Sequence, residues 1–107
     1  MYTVYLDRDN TFTVQLKAGP VGSEVAVDLA SVTKMEIYYL GSYYSSEDYA
    51  SSFDWSEGDG KVTFKLGVIP SFPAGRDKKA ELIVYDPSNP EGIVWTYLDI
   101  KAIDIDA

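Results

Sequence analysis

Residues 79–100, KAELIVYDPSNPEGIVWTYLDI, decide the fold class of this 107-residue chain. Two apolar runs, at residues 80–85 and 93–100, flank a polar stretch that contains two prolines and a glycine. Apolar runs separated by such turn residues are typical of a β-hairpin. Because both runs are apolar on both faces, we predict that this hairpin lies in the middle of a sheet rather than at its edge.

Short alternating segments cover much of the remaining sequence. Apolar side chains recur at every second position in residues 2–6, 11–17, 25–29, 31–40 and 61–66. This period of two is that of a half-buried strand, and the intervening Gly, Pro and Asp residues are turn signals. We therefore predict an all-β chain: one domain, residues 1–107, folded as an immunoglobulin-like β-sandwich of seven to nine antiparallel strands.

The inward positions of these strands predict the hydrophobic core. We expect that core to include Val14, Leu16, Val27, Met35, Ile37, Val62, Phe64, Leu66, Leu82, Val84 and Trp95. Immunoglobulin domains of antibodies also carry two cysteines around a buried tryptophan. This chain has no cysteine, so the immunoglobulin-like assignment depends on strand number and pattern alone.

The composition opposes several classes of function. Seventeen acidic residues against nine basic ones give a net charge of −8. Nucleic acids and anionic membranes attract basic surfaces, so neither is an expected partner. The chain has no histidine and no cysteine, which removes Cys/His zinc sites, cysteine nucleophiles and histidine bases. We predict a non-enzymatic protein without a cofactor, and without a signal peptide at its N-terminus.

Two groups of acidic residues suggest chemistry only weakly. Residues 7–10, DRDN, resemble the start of a calcium-binding loop, but Phe12 and Ala18 occupy the positions that need glycine and glutamate. Asp54, Glu57 and Asp59 crowd a single turn, where two carboxylates could in principle act as acid and base on a glycoside. Solvated turns explain both groups more simply, and we predict neither a metal site nor a catalytic site.

The segment at residues 41–55, GSYYSSEDYASSFDW, is the strongest candidate for binding. It is weakly periodic and long for a sandwich connection, and we expect part of it to form an edge strand and the rest a loop. Tyrosine and tryptophan bring large, rigid rings with a polar tip to interfaces. Carboxylates beside them would favour a basic partner surface. The predicted partner-binding residues are Tyr43, Tyr44, Tyr49, Trp55, Glu47 and Asp48.

If these tyrosines form a surface loop, alanine at Tyr43, Tyr44 and Tyr49 together would weaken partner binding and leave the fold nearly as stable. The alternative is that some of the rings belong to the core.

A second alternative for the function is a carbohydrate-binding module that stacks a glycan on residues 43–55. Three or more exposed, coplanar rings would favour the glycan, and rings that point into the core would disfavour it.

Two stretches resemble a known family. FDWSEGDGKVTFKLG at residues 53–67 and ELIVYDPSNPEGIVWTYLDI at residues 81–100, joined by a Pro/Gly loop, resemble small immunoglobulin-like β-sandwich proteins of tailed bacteriophages and prophages. The resemblance covers about half of the chain. It implies a structural protein of the neck, tail or baseplate, made in the bacterial cytoplasm and located in the virion. Its partners would be other virion proteins and further copies of the same chain.

Overall fold

The computed structural model describes residues 1–105. These residues contain ten β-strands and one short 3-10 helix, at Ala50–Ser52. Asp106 and Ala107, the end of the predicted domain, lie outside the described residues. The strands are β1 Tyr2–Tyr5, β2 Phe12–Gln15, β3 Lys17–Ala18, β4 Val25–Ala26, β5 Lys34–Tyr39, β6 Ser42–Ser45, β7 Phe53–Asp54, β8 Lys61–Phe64, β9 Gly75–Asp86 and β10 Asn89–Ile103. The prediction of an all-β chain is confirmed; the strands number ten because three of them have only two residues.

The strands form three sheets. The largest has the order β1-β10-β9-β5-β6, the second has the order β2-β8-β7, and β3 pairs with β4. β9 and β10 are the predicted long hairpin, and they occupy the middle of the five-stranded sheet as expected.

None of the helical segments within residues 1–105 has the length and hydrophobicity that a membrane span requires.

One pairing contradicts the prediction that all strands are antiparallel. β1 runs parallel to β10, with Tyr2 opposite Ile100 and Tyr5 opposite Ile103. The turn at residues 7–10 carries the chain from the five-stranded sheet into β2 of the other sheet. β1 therefore forms no hairpin with β2, and its place beside β10 depends on how the two sheets meet rather than on a local turn.

The two larger sheets share one hydrophobic core. Met35 and Ile37 of the first sheet and Val62 and Phe64 of the second are fully buried in the same cluster. Nine of the eleven predicted core residues are buried. Val27 and Trp95, which we also predicted to be core residues, are instead only partly buried and pack against the core.

A β-bulge explains the position of Trp95. Val94 lies opposite Ile83 and Thr96 lies opposite Leu82, so Trp95 is an extra residue in β10 without a partner in β9. A bulge shifts the alternation of the strand that contains it. As a result Val94 lies on the side of the sheet that faces away from the core, which is also the side of Tyr97. Both residues belong to the apolar run that we expected to be buried on both faces, and both are exposed.

Candidate functional site

The structure separates the six residues that the sequence predicts to bind a partner. β6 is an edge strand, as expected, and its alternation places neighbouring tyrosines on opposite faces. The Tyr43 side chain is 62% exposed, whereas Tyr44 is 5% exposed and belongs to the core. Only Tyr43 of this pair is available to a partner in the folded chain.

Tyr44 and Tyr49 have structural contacts that the sequence reading missed. The ring centroid of Tyr44 lies 4.9 Å from that of Phe72, and its hydroxyl donates to the carbonyl oxygen of Ser71 at 3.4 Å. Burial raises the pKa of Tyr44. Tyr49 is half-buried, and its ring centroid lies 6.4 Å from that of Tyr44. The expectation that both rings can be removed with little loss of stability is therefore wrong.

The other three predicted residues follow strands: Glu47 and Asp48 come after β6, and Trp55 comes directly after β7. Trp55 is half-buried and packs against the core just after β7. Glu47 is exposed, and its Oε1 lies 3.7 Å from Nζ of Lys34; Asp48 is also exposed. The Lys34 that pairs with Glu47 also has its Nζ 4.2 Å from the ring centroid of Tyr85, whereas Trp55 comes later in the chain, after the 3-10 helix and β7.

The acidic segments form turns. The Asn10 side chain accepts a hydrogen bond from the main-chain nitrogen of Tyr5 and donates to the carbonyl oxygens of Tyr5 and Arg8. Asp54 accepts hydrogen bonds from the main-chain nitrogen and hydroxyl of Ser56, which lower the pKa of Asp54. Within residues 1–105 no group of three or more carboxylates could hold a metal ion.

A row of aromatic side chains crosses the outer side of the five-stranded sheet. Tyr43 of β6 lies opposite Tyr38 of β5, Tyr38 lies opposite Glu81 of β9, and Glu81 lies opposite Tyr97 of β10. Residues directly opposite each other in antiparallel strands share a face. The rings of Tyr38 and Tyr43 are 4.5 Å apart. Tyr97 is 60% exposed at the far end of this row.

A second row lies beside the first. Ser45, Glu36 and Ile83 follow one another across β6, β5 and β9, and Val94 completes the row on β10. Val94 is 47% exposed. Tyr85 lies beyond this row, two residues along β9 from Ile83. We call the two rows and Tyr85 the outer face, and we take it as the candidate functional site.

Contacts on three sides hold Tyr85 in place. Its hydroxyl donates to Oε1 of Glu36, and Nζ of Lys34 lies 4.2 Å from its ring centroid. Gly92 (φ 81°) passes close to the ring, and a Cβ there would lie 2.7 Å from Cε2 of Tyr85. The hydrogen bond to Glu36, reinforced by burial, raises the pKa of Tyr85 to about 12.

The raised pKa of Tyr85 predicts how stability changes in alkali. The folded-state pKa lies above the ordinary value of 10.0, so the stability linked to Tyr85 is complete below about pH 10 and is lost as the pH rises towards 12. We expect Tyr85→Phe to make the free energy of unfolding fall less steeply over this interval. Urea unfolding at a series of pH values measures the free energy of unfolding of the wild type and of Tyr85→Phe. If this free energy falls equally steeply with pH in both proteins, the expectation is contradicted.

Part of one sheet edge is open beside this face. β1 covers only residues 100–103 of β10, and within the described chain no strand pairs with the same edge at residues 93–98. A groove of about 390 Å³ lies there, with Tyr2, Val14, Leu16 and Trp95 among its lining residues. An unpaired strand edge can accept a strand from another chain.

Comparisons with protein-family models, with curated proteins and with solved structures find no significant match to this chain.

The arrangement of rings does not meet the condition that would favour a glycan. Of the five aromatic residues in the predicted stacking platform at residues 43–55, Tyr43 alone is among the exposed ones; Tyr44 and Phe53 are in the core, and Tyr49 and Trp55 are half-buried. Tyr43 is instead paired with Tyr38, and the two rings are tilted by 48°. These rings form no coplanar platform, so the carbohydrate alternative lacks the geometry it needs.

Proposed function

We propose that this chain is a non-enzymatic structural protein of a bacteriophage or prophage particle, which assembles through protein–protein contacts on the outer face. The observation that carries the proposal is the exposure of large side chains at both ends of the outer face, with Val94 and Tyr97 next to each other on β10 and Tyr43 on β6. Adjacent exposed apolar and aromatic side chains on a small protein mark an interaction site. The resemblance of residues 53–67 and 81–100 to phage proteins supplies the biological setting.

The proposal includes an immunoglobulin-like sandwich. In variable-type immunoglobulin domains one sheet contains strands G, F, C and C′, and the other contains B, E and D. Taking β10, β9, β5 and β6 as G, F, C and C′, and β2, β8 and β7 as B, E and D, gives these neighbours in the right chain order. This agreement supports the assignment, and β3 and β4 would then be additions between B and C.

The expected partners are other virion proteins and further copies of this chain. Tyrosine rings contribute a large contact area with little loss of side-chain freedom, which makes them frequent centres of binding energy. The open edge of β10 offers a second route, because another chain can add a strand there. We expect the protein to be found in purified particles, in the neck, tail or baseplate, and mass spectrometry of those particles tests this location.

Replacing two tyrosines of the outer face tests the proposed interaction. We expect Tyr43→Ala combined with Tyr97→Ala to weaken binding to the virion partner about tenfold or more. Both side chains are more than half exposed, so the melting temperature should change little. Light scattering and sedimentation, alone and with each protein encoded by neighbouring virion genes, measure the binding.

Val21→Ala is the control for this experiment, since Val21 is exposed in the turn between β3 and β4 and belongs to neither row of the outer face. It should leave binding unchanged. A wild-type chain that stays monomeric and binds none of the neighbouring virion proteins would overturn the proposed function.

A further inference from the structure

We propose that Glu81 receives an arginine side chain of the partner protein, between the rings of Tyr38 and Tyr97. This inference rests on the proposed function, because it names the chemistry of the partner that the outer face binds. Glu81 is directly opposite Tyr38 on one neighbouring strand and Tyr97 on the other. Opposite residues in antiparallel strands have their Cβ atoms about 5 Å apart, so both rings flank the carboxylate.

Glu81 differs from Glu36 and Asp99, two other carboxylates on the strands of the same sheet. Glu36 accepts a hydrogen bond from the hydroxyl of Tyr85, and Asp99 forms two hydrogen bonds with Arg76. Glu81 is half-buried, and no hydrogen bond or ion pair joins its carboxylate to another residue in the described part of the chain. The centre of the aromatic row therefore holds a negative charge without a partner.

Covering this surface with a neutral protein face would take the carboxylate out of water without compensation, which is unfavourable. A partner that brings a cation to Glu81 avoids that cost. The net charge of −8 also attracts a basic partner towards this chain. Charge complementarity thus selects a basic side chain for the occupant of this position.

Two contacts in the same sheet show the geometry that a guanidinium group would use. Nε and Nη2 of Arg76 lie 3.0 and 2.7 Å from the two oxygens of Asp99, which is bidentate pairing. Nζ of Lys34 lies 4.2 Å from the ring centroid of Tyr85, which is a cation–π contact. Arginine makes both contacts at once, because its planar group pairs with a carboxylate and stacks on aromatic rings. Arginine therefore fits better than lysine between Tyr38 and Tyr97.

A small-molecule titration tests the site without a partner protein. N-acetyl-arginine amide is added to isotope-labelled protein, and NMR shifts are followed at Tyr38, Glu81 and Tyr97. We expect saturating shifts at these residues, and a several-fold smaller effect with the neutral isostere N-acetyl-citrulline amide. Glu81→Gln should remove the response, while Glu57→Gln, the same change at an exposed turn of the other sheet, should keep it. Equal shifts with both compounds, or an unchanged response in Glu81→Gln, would overturn the inference.

Binding to the virion partner separates this inference from the proposed function. We expect Glu81→Gln to weaken binding about fivefold and Glu81→Lys to weaken it further, with both effects smaller at high salt. Loss of binding in the Tyr43→Ala, Tyr97→Ala variant but not in either Glu81 variant would refute the arginine contact and leave the proposed function standing. Absence of any virion partner for the wild type would refute the proposed function, and the titration would still decide the arginine site.

Discussion

Gly67→Ala should lower the free energy of unfolding by about 3 kcal/mol or more. A Cβ at residue 67 would overlap the carbonyl oxygen of Tyr5 and lie 3.0 Å from Nδ2 of Asn10 and 3.1 Å from the carbonyl oxygen of Arg8. Asn10 donates to that same Tyr5 oxygen at 2.7 Å, and the carbonyl oxygen of Gly67 accepts from the main-chain nitrogen of Asp7 at 2.9 Å. The added methyl group would separate main-chain segments that hold β1 against the second sheet.

For a domain of this size the expected loss corresponds to a drop in melting temperature of about 12 °C or more. Gly58→Ala is the matched control. Gly58 has φ 88° and nothing within 4 Å of an added Cβ, so its substitution measures conformational strain without a clash. We expect that control to cost about 1 kcal/mol. If calorimetry shows Gly67→Ala to be as stable as Gly58→Ala, the close approach to Tyr5 does not exist in solution.

Tyr44→Ala should cost about 3–4 kcal/mol, whereas Tyr43→Ala should cost less than about 1 kcal/mol. The two residues are adjacent in β6, but Tyr44 is 5% exposed and Tyr43 is 62% exposed. Removing the Tyr44 ring leaves a cavity beside Phe72, whose ring centroid lies 4.9 Å away. Removing the Tyr43 ring loses chiefly its contact with Tyr38.

Urea unfolding of the two single variants measures this difference. Tyr44→Phe keeps the ring and loses only the 3.4 Å hydrogen bond to Ser71, so it should recover most of the stability. Equal losses for Tyr43→Ala and Tyr44→Ala would mean that β6 does not present these rings to opposite faces. Alanine at Tyr43, Tyr44 and Tyr49 together should strongly destabilise the fold, because it removes the buried Tyr44 ring.

The hairpin shows which structural features the local sequence pattern can predict and which it cannot. The turn residues between the runs at residues 80–85 and 93–100 predict β9 and β10, and their apolar character predicts a central position, as observed. The bulge at Trp95 could not be predicted, because the register of two strands depends on their cross-strand contacts. That bulge places Val94 on the outer face and leaves Trp95 only half-buried, so the candidate site includes a residue that the pattern assigned to the covered run.

β6 shows a second feature that the sequence pattern could not predict, which is the face of the strand that meets the core. Alternation alone indicates that Tyr43 and Tyr44 lie on opposite faces of a strand, but it does not say which face meets the core. The pairing with β5 decides this, since Tyr44 lies opposite the buried Ile37 and Tyr43 lies opposite Tyr38. Glu81 carried no signal in the sequence, because its neighbours Tyr38 and Tyr97 are 43 and 16 residues away along the chain.

The sequence by itself determined that the chain is all-β, where its turns fall and which alternating side chains supply most of the core, because each depends on neighbours within a few residues. Tertiary structure alone decided that β1 runs parallel to β10, that Trp95 forms a bulge, and that Tyr38, Tyr43, Glu81 and Tyr97 share one row. These features arise from pairing between strands that are distant in the chain. Their register is set when the two sheets bury their common core, which local pattern does not specify.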